Sequence, residues 1–241
     1  MEPKISIVMP TYNRADSFFR AAIESALNQT YKNFELIIID DASTDNTSKL
    51  VNSFNDKRIV YFQSDHNHGE YWATNYGIIL AKGKYLTWLH SDDILPTNSL
   101  ELRIKGLEVN PELDFVHGDI IIIDKNGKEI KRKESTDLNS EIVFKTFIEN
   151  LIQGKMISTL VHHTTIMMKK NFFYKAGPFD CSLPFAGDID WLIRALRIGE
   201  YKRIPQVLYL YRIHEQTRRV LDIKSGVNRE FVHINIAKRY I

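Results

Sequence analysis

The stretch Ile5-Ser6-Ile7-Val8-Met9-Pro10-Thr11-Tyr12-Asn13-Arg14 decides the fold class of this chain. Its first five residues have the length and apolar character of a buried β-strand, and the polar residues that follow them form a loop. Similar short runs, rich in isoleucine, valine and aromatic residues, alternate along the sequence with amphipathic stretches of helical length. This alternation predicts an α/β fold with a mainly parallel central sheet that is flanked by helices.

The first half of the sequence follows this alternation regularly. Predicted strands cover residues 5–9, 34–39, 59–62 and 85–89, and predicted helices cover residues 16–28, 47–54, 71–81 and 96–109. We expect Gly83 to end the third helix in a left-handed conformation. An Asn-Gly pair at residues 126–127 separates apolar runs at residues 115–123 and 129–131. Such a pair predicts a hairpin, and hence a small antiparallel element where the second half begins.

The second half of the sequence is less regular. Predicted helices cover residues 141–152, 189–198 and 224–241, and predicted strands cover residues 165–168 and 207–211. No internal repeat or linker-like composition interrupts the chain. We therefore expect one domain over residues 1–221, with halves at about 1–123 and 124–221, followed by a C-terminal helix over residues 222–241.

The composition is that of a folded soluble protein. The chain has 241 residues, of which 44% are hydrophobic and 26% are charged, and its formal net charge is only +2. No basic stripe interleaved with aromatic residues stands out, so a nucleic-acid polymer is a poor candidate partner. The single cysteine, Cys181, excludes an internal disulfide and a thiolate-rich zinc site, which favours a cytoplasmic location.

Neither a signal peptide nor a membrane span is expected from the sequence. No window approaches the roughly 20 apolar residues that a spanning helix needs, and the first residues lack a cleavable apolar leader. Basic residues on the predicted C-terminal helix make peripheral contact with the inner face of a membrane a minor alternative to a solvated helix face. They are Lys224, Arg229, Lys238 and Arg239.

Polar residues that could carry chemistry follow three of the predicted strands. They lie at residues 10–14, 40–43 and 90–93. Because ligands bind at the carboxyl ends of the strands in an open α/β sheet, we expect these loops to converge on one edge. The first loop lacks the glycines of a dinucleotide-binding loop or a P-loop, so bound phosphates would need other partners. A divalent cation, Mn²⁺ or Mg²⁺, held by Asp92 and Asp93 would suit this role, because both ions prefer hard oxygen ligands.

Six motifs occur in a fixed order along the chain. They are Pro10-Thr11-Tyr12-Asn13-Arg14, Asp40-Asp41-Ala42-Ser43-Thr44-Asp45, Asn67-x-Gly69 with Ala73-x-Asn75-x-Gly77, Ser91-Asp92-Asp93, Lys175-Ala176-Gly177-Pro178-Phe179-Asp180, and Gly187-Asp188-Ile189-Asp190-Trp191-Leu192-Ile193-Arg194 with Tyr211-Arg212-Ile213-His214. In order and spacing they resemble glycosyltransferase family 2 over residues 4–215. The resemblance implies a GT-A type nucleotide-sugar-binding fold, with the donor in the first half and the acceptor in the second. It also implies inverting transfer of a sugar from a nucleotide diphosphate sugar, such as a UDP-sugar, to a hydroxyl of a glycan or lipid-linked acceptor.

The resemblance further implies roles for individual residues. Asp188 falls at the position of the catalytic base, and Asp41 falls where a carboxylate accepts from a base N–H and favours uridine. The residues implied in nucleotide-sugar binding are Pro10, Thr11, Tyr12, Arg14, Asp41, Asn75 and Asp92. Asp93 is implied as the main ligand of the cation, and Asp92 and His214 are implied as further ligands. Acceptor contacts are assigned to Asp190 and to Trp191, whose ring could stack on a sugar or simply pack in the core.

The sequence departs from the family pattern at three positions. His90 and Gly187 stand where an acid is usual, and Thr74 stands where an arginine is common. We interpret these changes as variation, and a catalytically silent nucleotide-sugar or glycan-binding module is the alternative. A nucleotidyltransferase ranks last, because no glycine-rich loop follows the first strand. Zinc sites built from the histidines at residues 66–90 or 162–163 are set aside, because neither set offers a third ligand at suitable spacing.

Overall fold

The computed structural model describes residues 2–138, 140–153, 160–183, 186–217 and 229–240. The strands in these residues are β1 (Ile5–Thr11), β2 (Phe34–Asp40), β3 (Ile59–Gln63), β4 (Tyr85–Trp88), β5 (Phe115–Ile123), β6 (Glu129–Lys133), β7 (Met167–Lys169) and β8 (Tyr201–Arg212). They form one sheet in the order β3-β2-β1-β4-β7-β5-β6, with β8 paired to β5. Strands β3, β2, β1 and β4 are parallel to one another, and β8 is parallel to β5. Strand β7 runs antiparallel between β4 and β5, and β6 is antiparallel to β5, so the sheet is mixed.

Helices cover both faces of this sheet. In the described residues they are α1 (Ser17–Leu27), α2 (Thr47–Asn52), α3 (Glu70–Leu80), α4 (Ser99–Val109), α5 (Ser140–Ile152), α6 (Lys170–Ala176), α7 (Gly187–Ile198) and α8 (Arg229–Ala237), with short 3-10 helices at His163–Thr165 and Lys238–Tyr240. Residues Leu36 and Ile38 of β2 belong to the apolar cluster that includes residues of α1 and α4, whereas Ile37 and Ile39 belong to the cluster that includes residues of α3, α5 and α7. A strand buried on both faces needs a continuous apolar run, which is what the sequence of β2 provides.

The structure confirms the predicted α/β architecture, and the first-half elements lie within three residues of their predicted bounds. The hairpin between β5 and β6 is also confirmed, and Gly127 adopts a positive φ of 84° in its turn. Gly83 does not adopt the predicted left-handed conformation. It lies so close to β1 that an added Cβ would come within 2.6 Å of the backbone nitrogen of Ser6. Gly83 therefore allows the chain to pack closely against β1, and it does not cap the helix.

The second half differs more from the prediction. The predicted strand over residues 165–168 divides into a 3-10 turn and the three-residue strand β7. Helix α6 was not predicted, and β8 begins six residues before the predicted strand at residues 207–211. Within the predicted C-terminal helix, the described part is α8 with the 3-10 turn after it. The predicted domain boundary at residues 221–222 lies outside the described residues.

No helix in the described residues is long and apolar enough to cross a membrane. Helix α8 packs against α5 and α7. Of the basic residues that suggested membrane contact, Lys224 lies outside the described residues, and the guanidinium of Arg239 lies 3.6 Å from the carboxylate of Asp180. Peripheral membrane contact stays a prediction.

Because two histidines are buried, we expect the free energy of unfolding to fall in mild acid. His117 on β5 is 1% exposed, and burial lowers its pKa to about 3, while burial lowers the pKa of His162 to about 4. Both pKa values lie below the unfolded value of about 6.5, so each neutral ring stabilises the fold above that pH and the contribution is lost as the pH falls. We expect each histidine to cost about 2 kcal/mol between pH 6.5 and 5.

Urea unfolding at the two pH values measures this effect. His117→Gln should show a smaller loss of unfolding free energy than the unmodified chain. His66→Gln is the matched control, since His66 is an exposed histidine whose side chain retains 66% of its accessible surface. Equal pH dependence in the unmodified chain and His117→Gln would contradict the prediction.

Candidate active site

The loops after β1 and β2 are bound to each other at the carboxyl edge of the sheet. The backbone N–H of Asn13 donates to Ser43 Oγ (2.7 Å), and that of Thr44 donates to Asn13 Oδ1 (2.8 Å). The N–H of Arg14 donates to Thr47 Oγ1 (2.8 Å). These bonds fix the direction in which the arginine leaves the first loop.

Three residues predicted for the site, from distant parts of the chain, meet at this edge. The guanidinium of Arg14 lies 2.8 Å from Asp92 Oδ2, and His214 Nε2 lies 3.0 Å from the same oxygen. The N–H of Gln216 donates to His214 Nδ1 (3.3 Å), so the hydrogen-bond pattern assigns the ring proton to Nε2, which donates to Asp92. His214 thus supports Asp92 here and offers no free ring nitrogen to a cation.

Asp92 retains an accessible oxygen. Its side chain is 20% exposed, and its Oδ1 has no hydrogen-bond partner among the described residues. Burial acts to raise the pKa of Asp92, but the hydrogen bond from His214 and the charge of Arg14 outweigh burial and lower it. Asp92 is therefore held as a carboxylate, the form that a hard divalent cation requires.

The neighbouring acid, Asp93, is placed differently from its prediction as the main metal ligand. It is 1% exposed, and burial raises its pKa. The Tyr209 hydroxyl donates to Asp93 Oδ2 (2.8 Å), and the backbone N–H of Arg212 donates to Oδ1 (2.7 Å). The His90 ring lies 3.4 Å from the carboxylate. With both oxygens occupied by donors of the protein, Asp93 ties β8 to the loop after β4.

His90, which departs from the family pattern, lies between two acids. Its Nδ1 lies 3.4 Å from Asp93, and its Nε2 lies 3.4 Å from Glu70 Oε1. Burial opposes the charge on His90, but the hydrogen bond to Asp93 and the charge of Glu70 outweigh it and raise the pKa to about 9. A positive charge thus stands where the family pattern has a negative one.

Asp41 and the first loop line another part of the same edge. Asp41 Oδ2 accepts from the N–H of Gly69 (2.7 Å), and Oδ1 accepts from the N–H of His68 (2.9 Å). Asp41 therefore orders the loop before α3, a role that the predicted contact with a base did not include. Thr11 Oγ1 is buried without a hydrogen-bond partner in the described part of the chain, and Tyr12 is 49% exposed. Pro10 precedes them as a buried residue of β1.

Three other predicted site residues make their contacts within the protein. Asn75 Nδ2 donates to the carbonyl of Phe179 (2.9 Å), and the N–H of Phe179 donates to Asn75 Oδ1 (3.0 Å). Asp190 Oδ1 accepts from the Tyr240 hydroxyl (2.6 Å). Trp191 is 0% exposed, so its ring cannot stack on an acceptor sugar, and core packing is the correct alternative.

Asp188 is the second residue of α7, and its side chain is 28% exposed. The helix is preceded by Ala186, whose positive φ of 73° turns the chain into the helix. The Tyr71 hydroxyl donates to Asp188 Oδ1 (3.3 Å), and His163 Nε2 lies 3.4 Å from Oδ2. Neither residue was predicted from the sequence as a partner of Asp188, and His163 was considered only as a zinc ligand.

The start of α3 joins these parts of the site. The N–H of Gly69 donates to Asp41, the carboxylate of Glu70 lies beside His90, and the hydroxyl of Tyr71 reaches Asp188. Three consecutive residues, Gly69, Glu70 and Tyr71, thus connect Asp41, His90 and Asp188.

One group in the described residues has the donor geometry of a metal site, and it lies in the loop before α3. Asp65, His66 and His68 have ligand atoms within 4.8 Å of one another. None of the predicted cation ligands belongs to this group. At the predicted cation position, Asp92 supplies a suitable oxygen.

Comparison with known proteins identifies the family. A family model described as glycosyl transferase family 2 matches residues 6–177. An uncharacterized glycosyltransferase of Rickettsia typhi is 34% identical over 216 residues, covering 88% of this chain and 65% of that protein. WfgD of Escherichia coli, a UDP-Glc:alpha-D-GlcNAc-diphosphoundecaprenol beta-1,3-glucosyltransferase, is 39% identical over 123 residues, 51% of this chain and 48% of its own.

Solved structures show the same fold. Residues 1–349 of S. aureus TarS in complex with UDP-GlcNAc superpose with a TM-score of 0.71 at 17% identity, covering 95% of this chain and 66% of that chain. The chain spans from about a third to two thirds of the length of several curated relatives, 35% of one from Rickettsia felis and 65% of the one from Rickettsia typhi. The GT-A type fold is confirmed, and the chain belongs to glycosyltransferase family 2.

Proposed function

We propose that this chain transfers a sugar from a UDP-sugar to a hydroxyl of a glycan or lipid-linked acceptor, with inversion at the anomeric carbon. The observation that carries the proposal is the meeting of Arg14, Asp92 and His214 at the carboxyl edge of the sheet, connected through the start of α3 to Asp188. The similarity to WfgD, whose name describes a UDP-glucose-dependent enzyme with a lipid-linked acceptor, supports the substrate classes. The complexes of TarS with UDP and UDP-GlcNAc support the donor.

The first loop and its neighbours suit a nucleoside diphosphate. The exposed ring of Tyr12 can stack on a base. The charges of Arg14 and His90 attract phosphate oxygens. Asp92 would hold Mn²⁺ or Mg²⁺ through its open oxygen, and the cation would neutralise the charge of the leaving diphosphate.

Asp188 suits the role of general base. In the proposed reaction the acceptor oxygen bonds to the anomeric carbon, and the bond from that carbon to the diphosphate oxygen breaks with its electron pair leaving on UDP. The proton of the acceptor hydroxyl passes to the Asp188 carboxylate. Asp188 lies in the first turn of α7, where the helix dipole interacts favourably with a negatively charged side chain.

A catalytically silent binding module is the second candidate. It is favoured by the replacement of an acid with His90 and by the contacts that Arg14 and His214 already make with Asp92. Such a module would bind UDP without releasing it from any donor, so a donor-cleavage assay separates the two functions.

Titration calorimetry with UDP tests the cation-side assignment. We expect Mn²⁺ to raise the affinity for UDP about tenfold, equivalent to about 1.4 kcal/mol, because it bridges a carboxylate and phosphates. Asp92→Asn should lose this dependence on Mn²⁺ while still binding UDP weakly. Asp137→Asn, at an exposed acid outside the site, is the control and should behave as the unmodified chain.

Two outcomes would contradict the proposal. If Mn²⁺ does not change the affinity for UDP in either the unmodified chain or Asp92→Asn, then Asp92 does not bind the cation. UDP binding without any release of UDP from UDP-glucose or UDP-GlcNAc, with a GlcNAc-diphospholipid supplied as acceptor, would favour the silent module.

A further inference from the structure

The carboxylate of Asp188 is held from two sides by residues of two other elements. The Tyr71 hydroxyl, in the first turn of α3, donates to Oδ1 (3.3 Å). His163 Nε2, in the 3-10 turn before β7, lies 3.4 Å from Oδ2. A carboxylate only accepts hydrogen bonds, so a neutral His163 ring can donate here when its proton is on Nε2. Each oxygen of Asp188 thus faces its own donor group: the Tyr71 hydroxyl is hydrogen-bonded to Oδ1, and the His163 ring lies beside Oδ2.

Both donors are fixed by their surroundings. The ring of Tyr71 stacks with that of Phe179 at 5.8 Å between centroids, and burial with the nearby charge of Asp188 raises the pKa of Tyr71. The turn that carries His163 is tied to β5 through Thr165, whose Oγ1 accepts from the N–H of Gly118 (3.0 Å). Burial lowers the pKa of His163, which keeps the ring neutral. Neither donor lies on a freely moving loop.

Gly187 makes room for one of these donors. A Cβ added at residue 187 would lie 2.7 Å from Cε2 and 2.9 Å from Cδ2 and Cζ of Tyr71. These are atoms of a rigid ring packed between α3 and α7, so any side chain at this position would displace the ring. The glycine and the tyrosine are therefore sterically coupled, and the departure from the family pattern at residue 187 has a structural reason.

We propose that Tyr71 and His163 are positioning residues that together aim the Asp188 carboxylate at the acceptor hydroxyl, and that Gly187 lacks a side chain in order to admit Tyr71. The inference rests on the proposed function, in which Asp188 is the base. A base must lie within hydrogen-bond reach of the proton it removes, and a displacement of about 1 Å can cost up to about 100-fold in rate. Two donors on separate elements restrict the carboxylate in a way that one could not.

Steady-state release of UDP tests the two donors. The substrates are UDP-glucose and UDP-GlcNAc, with Mn²⁺ and a GlcNAc-diphospholipid acceptor. We expect Tyr71→Phe and His163→Ala each to lower kcat about tenfold while KM for the donor changes less than about twofold, because only the aim of the base is disturbed. His163→Gln should recover most of the activity, since its amide N–H can replace the donor at Nε2.

Control variants separate this effect from a general loss of fold. Tyr174→Phe alters an exposed tyrosine, and Asp137→Asn alters an exposed acid, and both should match the unmodified chain. Urea unfolding of each variant reports whether the fold is retained. A rise in donor KM without a fall in kcat, or a failure of His163→Gln to exceed His163→Ala, would overturn the positioning role.

The coupling of Gly187 and Tyr71 is tested by a double-mutant cycle. Gly187→Ala should lower kcat in the unmodified chain but should cost little more in a Tyr71→Ala background, where the ring is gone. If the double variant loses kcat by the product of the factors found for the two single variants, the proposed coupling is wrong.

The two hypotheses fail in different ways. If Asp188→Asn keeps releasing UDP, or if the unmodified chain releases none, the proposed function falls and this inference falls with it. If Asp188→Asn is inactive while Tyr71→Phe and His163→Ala retain full kcat, only the positioning role falls.

Discussion

Asp188→Asn is expected to abolish sugar transfer while leaving the binding of UDP unchanged. Asparagine has nearly the shape of aspartate, and its Oδ1 can still accept from the Tyr71 hydroxyl, but it cannot take a proton from an acceptor hydroxyl. General-base catalysis contributes about 10²- to 10⁴-fold to a rate, so kcat should fall by a factor in this range. This is the largest effect on activity that we expect from any single substitution in the chain.

The measurement pairs initial rates of UDP release with calorimetric titration of UDP. Asp137→Asn is the matched control, because it replaces an exposed acid with the same amide at a distance from α7. A kcat for Asp188→Asn within about threefold of the unmodified chain is incompatible with general-base catalysis of the usual size and would remove Asp188 from the mechanism. Loss of UDP binding in the same variant would instead mean that the residue supports the donor.

The sequence predicted the strands of the first half well because burial on both faces requires continuous apolar runs. Strand β2 shows this, with Ile37 and Ile39 facing one apolar cluster and Leu36 and Ile38 facing the other. The same strands also predicted that the site lies at the carboxyl edge of the sheet. The loops that contain Arg14 and Asp92 were predicted to converge, and the structure brings these side chains to 2.8 Å.

The parts of the site that the sequence did not predict depend on partners far along the chain. Whether a polar side chain stays open to a ligand or bonds within the protein is set by tertiary contacts that local patterns do not contain. Asn75 bonds to the backbone of Phe179, and Tyr71 reaches Asp188, each across more than one hundred residues. Trp191 shows the same limit, since its ring packs against Trp88 of β4, Phe173 of α6 and Phe179 in the loop after α6.

The second large effect expected is on stability, and it distinguishes two adjacent acids. Asp93→Ala should lower the free energy of unfolding by about 3 kcal/mol, because removing one partner of a buried charged network leaves the others unpaired. The groups left without Asp93 are the Tyr209 hydroxyl, the backbone N–H of Arg212 and the His90 ring, whose raised pKa of about 9 depends on this carboxylate. Asp92→Ala should cost less than Asp93→Ala, since the Asp92 side chain is 20% exposed and Arg14 keeps Asp16 and Gln216 as partners.

Urea unfolding at pH 7 of the two alanine variants and the unmodified chain decides between these roles. If Asp93 ties β8 to the loop after β4, its variant unfolds at clearly lower urea, and Asp92→Ala unfolds close to the unmodified chain while losing the dependence of UDP binding on Mn²⁺. Asp93→Asn provides a milder variant, since the amide keeps one acceptor for the N–H of Arg212 or the hydroxyl of Tyr209. The opposite ranking, with Asp93→Ala as stable as the unmodified chain and losing only the effect of Mn²⁺, would return Asp93 to the role of cation ligand that the family resemblance implied.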